Sequence, residues 1–245
     1  MGEIKSMVHL SIDNFLHDAY QRHNRRRQEH LATLSLPLNG RSVLEIGADI
    51  GDHTSFFIDR GCRVTVTDAR AENLVHVRAR FAGVQTQMVD IDCPLTGGIE
   101  PHQVVYAYGV LYHLSDPAGA LSRMASLATE MLLVETCVSF GAGSAINTVQ
   151  EDPSDPTQAI SGTGCRPTRA WVFDNLKSHF DYVYLTRTQP WHEEFPVDWQ
   201  NEIEENGNGL FRSVFVASRS PLSDRYLSPH LLDLQCRELG FGGYT

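Results

Sequence analysis

The sequence predicts an α/β fold built on a doubly wound, mostly parallel sheet, and three observations carry that prediction. Short apolar or β-branched runs alternate with segments of helical spacing between residues 42 and 136, the pattern of successive βαβ units. The first run, Ser42 to Ile46, stops at a glycine-containing turn. Acids close the first three runs, at Glu45, Asp68 and Asp90, on the edge where open α/β sheets take their ligands.

Each element follows in order. Residues 12 to 35 are predicted as a helix, with Phe15, Leu16, Tyr20, Leu31 and Leu34 as an apolar stripe, ended by Pro37 and Gly40. Strands follow at 42–46, 63–68, 85–90, 104–108 and 131–135. A helix at 71–82 puts Leu74, Val77 and Phe81 on one side. Asp116 and Pro117 open another, with the acid as cap and proline in the first turn. Residues 138 to 167 break the rhythm with glycines and prolines and are read as a long irregular loop. Thr168 caps a further helix through Trp171, Leu176 and Phe180, and strands at 182–185 and 211–217 complete seven. The tail carries one amphipathic piece, Leu231 to Leu239, and no internal repeat is found.

Composition narrows the class. The 245 residues can bury a full core without staples, and the formal net charge is -10. That balance argues against a nucleic-acid partner, which needs a basic face. The basic run Arg25 to Arg27 is read as a solvated helix face. The five cysteines, Cys62, Cys93, Cys137, Cys165 and Cys236, have no zinc-ligand spacing and are read as reduced thiols. No signal peptide is read in Met1 to Leu10, and no stretch approaches the roughly 20 apolar residues of a membrane helix. The expectation is therefore a cytoplasmic protein with no membrane contact. The sequence leaves oligomeric state open, a homodimer included.

The glycine turn and the acids together resemble a known family. Glu45, Gly47 and Gly51 in one loop, Asp68 at the end of the second strand, and Val89-Asp90 after the third are similar to the cofactor motifs of class I S-adenosylmethionine (SAM)-dependent methyltransferases. Tyr108 to Pro117, reading YGVLYHLSDP, resembles the segment after their fourth strand. The resemblance covers residues 40 to 136 and the two late strands. A dinucleotide fold is disfavoured because Asp49 stands where its middle glycine belongs.

The resemblance implies a Rossmann-like seven-stranded sheet with an antiparallel late strand. It implies SAM as cofactor and S-adenosylhomocysteine (SAH) as product. Glu45, Gly47, Ala48, Asp49 and Gly51 would hold the methionine part. Asp68, with Ala69 and Arg70 beside it, would take the ribose. Asp90 and Ile91 would face the adenine, and Tyr108 and Gly109 the transferable methyl. One position departs, since the family has glycine where this chain has Asp49. That side chain must turn away from the cofactor or bind its ammonium.

The acceptor side is read from residue chemistry. His113 and His192 are the candidate bases; the alternative for His113 is a packed histidine that fixes its loop. His192-Glu193-Glu194 is a base, a ligand set or a solvated turn, and no metal is expected. Arg166 and Arg169 precede and open a helix, where an anionic group would be favoured; the alternative is pairing with Glu151, Asp152 or Asp155. Trp191 and Trp199 are expected to wall the acceptor pocket, and Trp171 to be core. Residues 1–40 are expected to cover the cofactor, with Tyr20, His23 and His30 facing it. Residues 41–218 form the main domain, in which the insertion 138–170 and the segment 188–206 cap the acceptor; 219–245 is the tail. The expected function is methylation of a small molecule, at oxygen, including one with an anionic group. Two alternatives stand beside it: an RNA-modifying methyltransferase, and a SAM-binding protein that transfers no methyl.

Overall fold

In the computed structural model, residues 12–200 and 210–237 are described. The remainder of the tail and residues 201–206 of the expected cap lie outside them. The strands are β1 (Ser42–Ile46), β2 (Arg63–Asp68), β3 (Gln85–Met88), β4 (His102–Tyr108), β5 (Ala128–Val138), β6 (Ile146–Gln150), β7 (Thr163–Pro167), β8 (Tyr182–Thr186), β9 (Phe211–Ser218) and β10 (Leu227–Ser228). The helices are α1 (Asp18–Thr33), α2 (Thr54–Ile58), α3 (Ala71–Arg80), α4 (Pro117–Leu127) and α5 (Arg169–Lys177), with a 3-10 turn at Leu111–His113.

One sheet runs in the order β10-β8-β9-β5-β4-β1-β2-β3. β1 to β5 pair in parallel, while β9 is antiparallel to both β5 and β8. The seven expected strands are all present, and the tail adds an eighth, two residues long, on the β8 edge. The direction of winding reverses between β1 and β4, which opens a crevice at the carboxyl ends of those strands.

Both faces of the sheet are covered, so the central strands read as continuous apolar runs rather than alternating ones. Leu44, Ile46, Val105, Leu132 and Phe215 face α4 and α5 through Leu121, Met124, Val172 and Leu176. Val43, Val66, Tyr106, Leu133 and Val216 face the other way, against Phe57, Leu74 and Val77. Asp116 caps α4 by accepting the Gly119 N–H at 3.0 Å, and Thr168 caps α5 by accepting the Trp171 N–H at 3.3 Å. Among the described residues no helix is long and apolar enough to cross a membrane.

Three expectations are corrected. The stretch 138–167 is not irregular throughout: β6 and β7 pair antiparallel within it, Asn147 opposite Arg166. Gly164 and Pro167 hid a strand that belongs to a two-stranded ribbon, where such residues are tolerated. The first helix is not one piece from 12 to 35. Residues 12–16 form a separate helical turn, and α1 buries His23, Asn24, Arg27, His30 and Leu31. Its inner face is polar because it packs over the crevice and not on the core, while Leu16 is left exposed. Arg27 is accordingly buried rather than part of a solvated face.

Candidate active site

The crevice begins where β1 ends. Gly47 and Gly51 have φ of +61° and +81°, and Asp49 between them is at +51°. Glycine adopts that left-handed conformation freely, and aspartate is among the few other residues that visit it. At Gly47 space adds a second demand, because a Cβ there would lie 2.6 Å from a methyl of Val110.

The turn is tied directly to the second strand. The Asp49 N–H donates to Asp68 Oδ2 at 2.9 Å. Asp68 Oδ1 accepts from the Arg70 N–H at 2.8 Å and from Asn73 Nδ2 at 3.1 Å. A carboxylate offers about four acceptor positions, so these three leave room for one more donor. The Asp49 carboxylate accepts from the hydroxyl of Tyr20, which reaches down from α1. Burial pushes Asp49 up to about 7, with the nearby Asp68 charge adding to it. Burial likewise pushes Asp68 up to about 6, against the pull of the N–H groups it accepts.

A cavity of about 860 Å³ opens from this edge. Gly47, Asp49, Asp68, Ala69, Arg70, Asp90, Ile91, Tyr108, Gly109, His113, Arg166 and His192 all line it. Asp90 stands two residues beyond β3 and accepts the Asp92 N–H at 3.0 Å. Arg70 fastens the cap by donating to the carbonyls of Pro153, Asp155 and Gln158. The β6–β7 connection thereby closes over the Asp68 side of the cavity.

Six expected site residues are placed elsewhere. Glu45 is buried behind the turn, where it accepts from Thr54 Oγ1 at 2.6 Å, and burial pushes it up to about 8. Ala48 lies beside it, on a recess of about 20 Å³ that Glu45 also lines. Gly51 packs against Thr54, Phe81 and Val77. Arg169 donates to the Leu232 carbonyl and lies 4.1 Å over the Trp199 ring. Trp199 itself packs on Phe140, and its indole N–H donates to Gln235. Trp191 is 45% exposed. Arg169 and the two tryptophans thus hold the tail and the surface rather than the cavity wall.

His113 does reach the cavity, and it has an orienting partner. Its Nδ1 lies 2.5 Å from Glu151 Oε2. The same oxygen accepts the Ala159 N–H, and Arg166 lies 3.4 Å from Oε1. Burial lowers His113 from the ordinary histidine range, so its neutral form is favoured. Glu151 is held below its usual range: burial acts upward, but the hydrogen bonds from His113 and the Ala159 N–H, with the Arg166 charge, outweigh it.

A second part of the wall escaped the sequence reading. Glu135, opposite Tyr108 in the β4–β5 register, is fully buried. It pairs with Arg27 from α1 and with Arg212 from β9 at 3.2 Å. Arg212 also donates to Glu194 at 2.6 Å and to the Tyr112 hydroxyl at 3.1 Å. His23 and His192 stack beside this network with ring centroids 4.9 Å apart. One signal was available: Glu135 ends the run Met131-Leu132-Leu133-Val134, where an acid is costly unless paired.

No protein-family model matches the chain, and no curated protein does. Solved structures do. The N-terminal domain of EvdMO1, solved in the presence of SAH and D-fucose, is 19% identical over 82% of this chain and 84% of that one, with a TM-score of 0.59. Magnesium protoporphyrin IX methyltransferase from Synechocystis PCC 6803, with bound SAH, is 14% identical over 82% and 84%, at 0.55. The 1,6-didemethyltoxoflavin-N1-methyltransferase of Burkholderia thailandensis, with that compound and SAH bound, is 17% identical over 90% and 87%, at 0.53. The chain has the Rossmann-like fold of class I SAM-dependent methyltransferases.

Proposed function

We propose that this chain is a methyltransferase that uses SAM and methylates a small molecule at a hydroxyl oxygen. The observation that carries the reading is Asp68, buried at the end of β2, hydrogen-bonded to the glycine turn and open to a cavity of about 860 Å³. A site of that size takes a nucleoside cofactor together with a small acceptor. All three structural neighbours above were solved with SAH or in its presence, one with D-fucose and one with 1,6-didemethyltoxoflavin, which supports a small acceptor.

In this reading Asp68 takes the ribose hydroxyls, and Asp90 and Ile91 bound the adenine. Gly47 lets the backbone approach the methionine part, and Asp49 takes its ammonium. Tyr108 and Gly109 border the methyl. Glu45 acts from behind, holding the turn through Thr54. Bound SAM would supply an activated methyl on a sulfonium, so the protein's task is position, dehydration and proton removal. Glu151 holds Nδ1 of His113, which leaves Nε2 to take the acceptor's proton as its oxygen becomes the nucleophile. Glu151 then stabilises the imidazolium. The guanidinium of Arg166 is engaged by Glu151 and the Tyr112 carbonyl, so a neutral acceptor suits this wall better than an anionic one. Incubation with SAM and a panel of polyhydroxy and phenolic compounds, followed by detection of SAH, tests the proposal. SAH formed with hydroxyl acceptors supports it. SAM binding with no turnover across the panel, or turnover only with RNA, sinks it.

A further inference from the structure

We propose that His23, His192 and Glu194 form a binding site for one divalent transition-metal ion. The three residues come from α1 and from the segment after β8, and all line the cavity. Each offers a ligand atom, and those atoms lie within 4.8 Å of one another. His23 and His192 are 7% and 5% exposed. His23 Nε2 is buried with no hydrogen-bond partner, and it points toward Glu194 Oε2 at 3.8 Å. A buried polar nitrogen without a partner is costly, and an ion between it and the carboxylate would satisfy it.

The donor set selects the ion. Two imidazoles and one carboxylate suit zinc and its first-row neighbours, whereas magnesium and calcium want oxygen ligands. Zinc bonds of about 2.0–2.2 Å would draw the three atoms closer than they now stand. Arg212 Nε donates at 2.6 Å to Glu194 Oε2, the same oxygen that faces His23, and so fixes the carboxylate in place, as partners of ligands commonly do. Three arginines near the site, Arg22, Arg27 and Arg212, are matched by three glutamates, Glu193, Glu135 and Glu194, so the surroundings carry no net positive charge. Three protein ligands leave a coordination position open to the cavity. A further consequence rests on the methyl-transfer reading: the acceptor's oxygen would take that position and lose its proton more readily.

The test is chelator-treated full-length protein titrated with zinc and with cobalt, followed by metal analysis and visible absorption. We expect one equivalent per chain and a cobalt spectrum without thiolate charge-transfer bands. His23→Gln and, separately, His192→Gln should weaken binding by at least about 100-fold, with folding checked by circular dichroism. Glu194→Gln serves as a third variant because it also unpairs Arg212. Wild-type protein that takes up no metal, binding undiminished in folded variants, or thiolate bands from the cysteines would each overturn the site. Calorimetry with SAM on the same samples separates this outcome from the methyl-transfer reading, since wild-type protein that binds SAM but takes up no metal sinks the metal site alone.

Discussion

The two charged parts of the cavity wall are built on opposite terms. Around Asp68 and Asp49, like charges stand together and are held by N–H groups and a tyrosine hydroxyl, with no cation bonded to either carboxylate among the described residues. Around Glu135, opposite charges interlock: two arginines, two glutamates and a tyrosine hydroxyl are bonded to one another. The first arrangement leaves acceptor capacity unused, which the hydroxyls and ammonium of the proposed cofactor would fill. The second balances its own charges from within, with Glu194 at its edge also lining the cavity. A site that waits for a ligand and a network that holds elements together can therefore be told apart by whether the protein completes its own electrostatics.

That contrast can be broken or sharpened by substitution. The largest effect is expected at Glu135. Glu135→Leu leaves Arg27 and Arg212 buried without their shared counter-charge, and breaking a buried pair costs about 3–5 kcal/mol. A melting temperature lower by roughly 10 °C follows for a chain of this length; an unchanged one would make the network dispensable.

Next comes His113→Ala, which should lower kcat by about 10²–10³ with SAM affinity unchanged, as for loss of a general base. Restored activity at high pH would strengthen that assignment, because an acceptor that ionises in solution no longer needs the base.

The acid pair gives a smaller, pH-dependent effect. Asp49 and Asp68 are raised to about 7 and about 6 in the folded protein, above their ordinary range near 4. Groups raised in this way stabilise the fold most below the unfolded value and lose that contribution as pH rises through the folded one. The ligand-free protein should therefore lose stability from about pH 4 to pH 7. SAM affinity should rise between about pH 6 and pH 8, as Asp49 ionises to meet the ammonium. Asp49→Asn should flatten the affinity profile and raise apo stability at neutral pH, read by calorimetry and thermal melts. The smallest effect is expected at Trp191, whose replacement by alanine should change stability by less than about 0.5 kcal/mol and leave KM unaltered.

The same contrast explains what was legible beforehand. Asp68 and Asp90 could be read because one ends its strand and the other stands two residues past its own, and βαβ winding brings strand ends to one edge. The caps at Asp116 and Thr168 were equally local. The Arg27–Glu135–Arg212 network joins α1, β5 and β9, and no spacing rule reaches across such separations. Arg25 to Arg27 looked alike in sequence, yet only Arg27 of the three is buried, a distinction set by which way α1 turns over the crevice. The β6–β7 ribbon was concealed by its own glycine and proline. Arg169, Trp191 and Trp199 were read from residue type and local position, and neither says which way a side chain faces.

The account turns on the unfinished acid edge being a SAM site. Titration calorimetry of SAH into the wild-type protein and into Asp68→Ala tests it most directly. Saturable one-to-one binding in the wild type, weakened about 100-fold or more in the variant, is the result expected from losing charge-assisted hydrogen bonds to the ribose. No uptake by folded wild-type protein, or equal affinity in both, would contradict it.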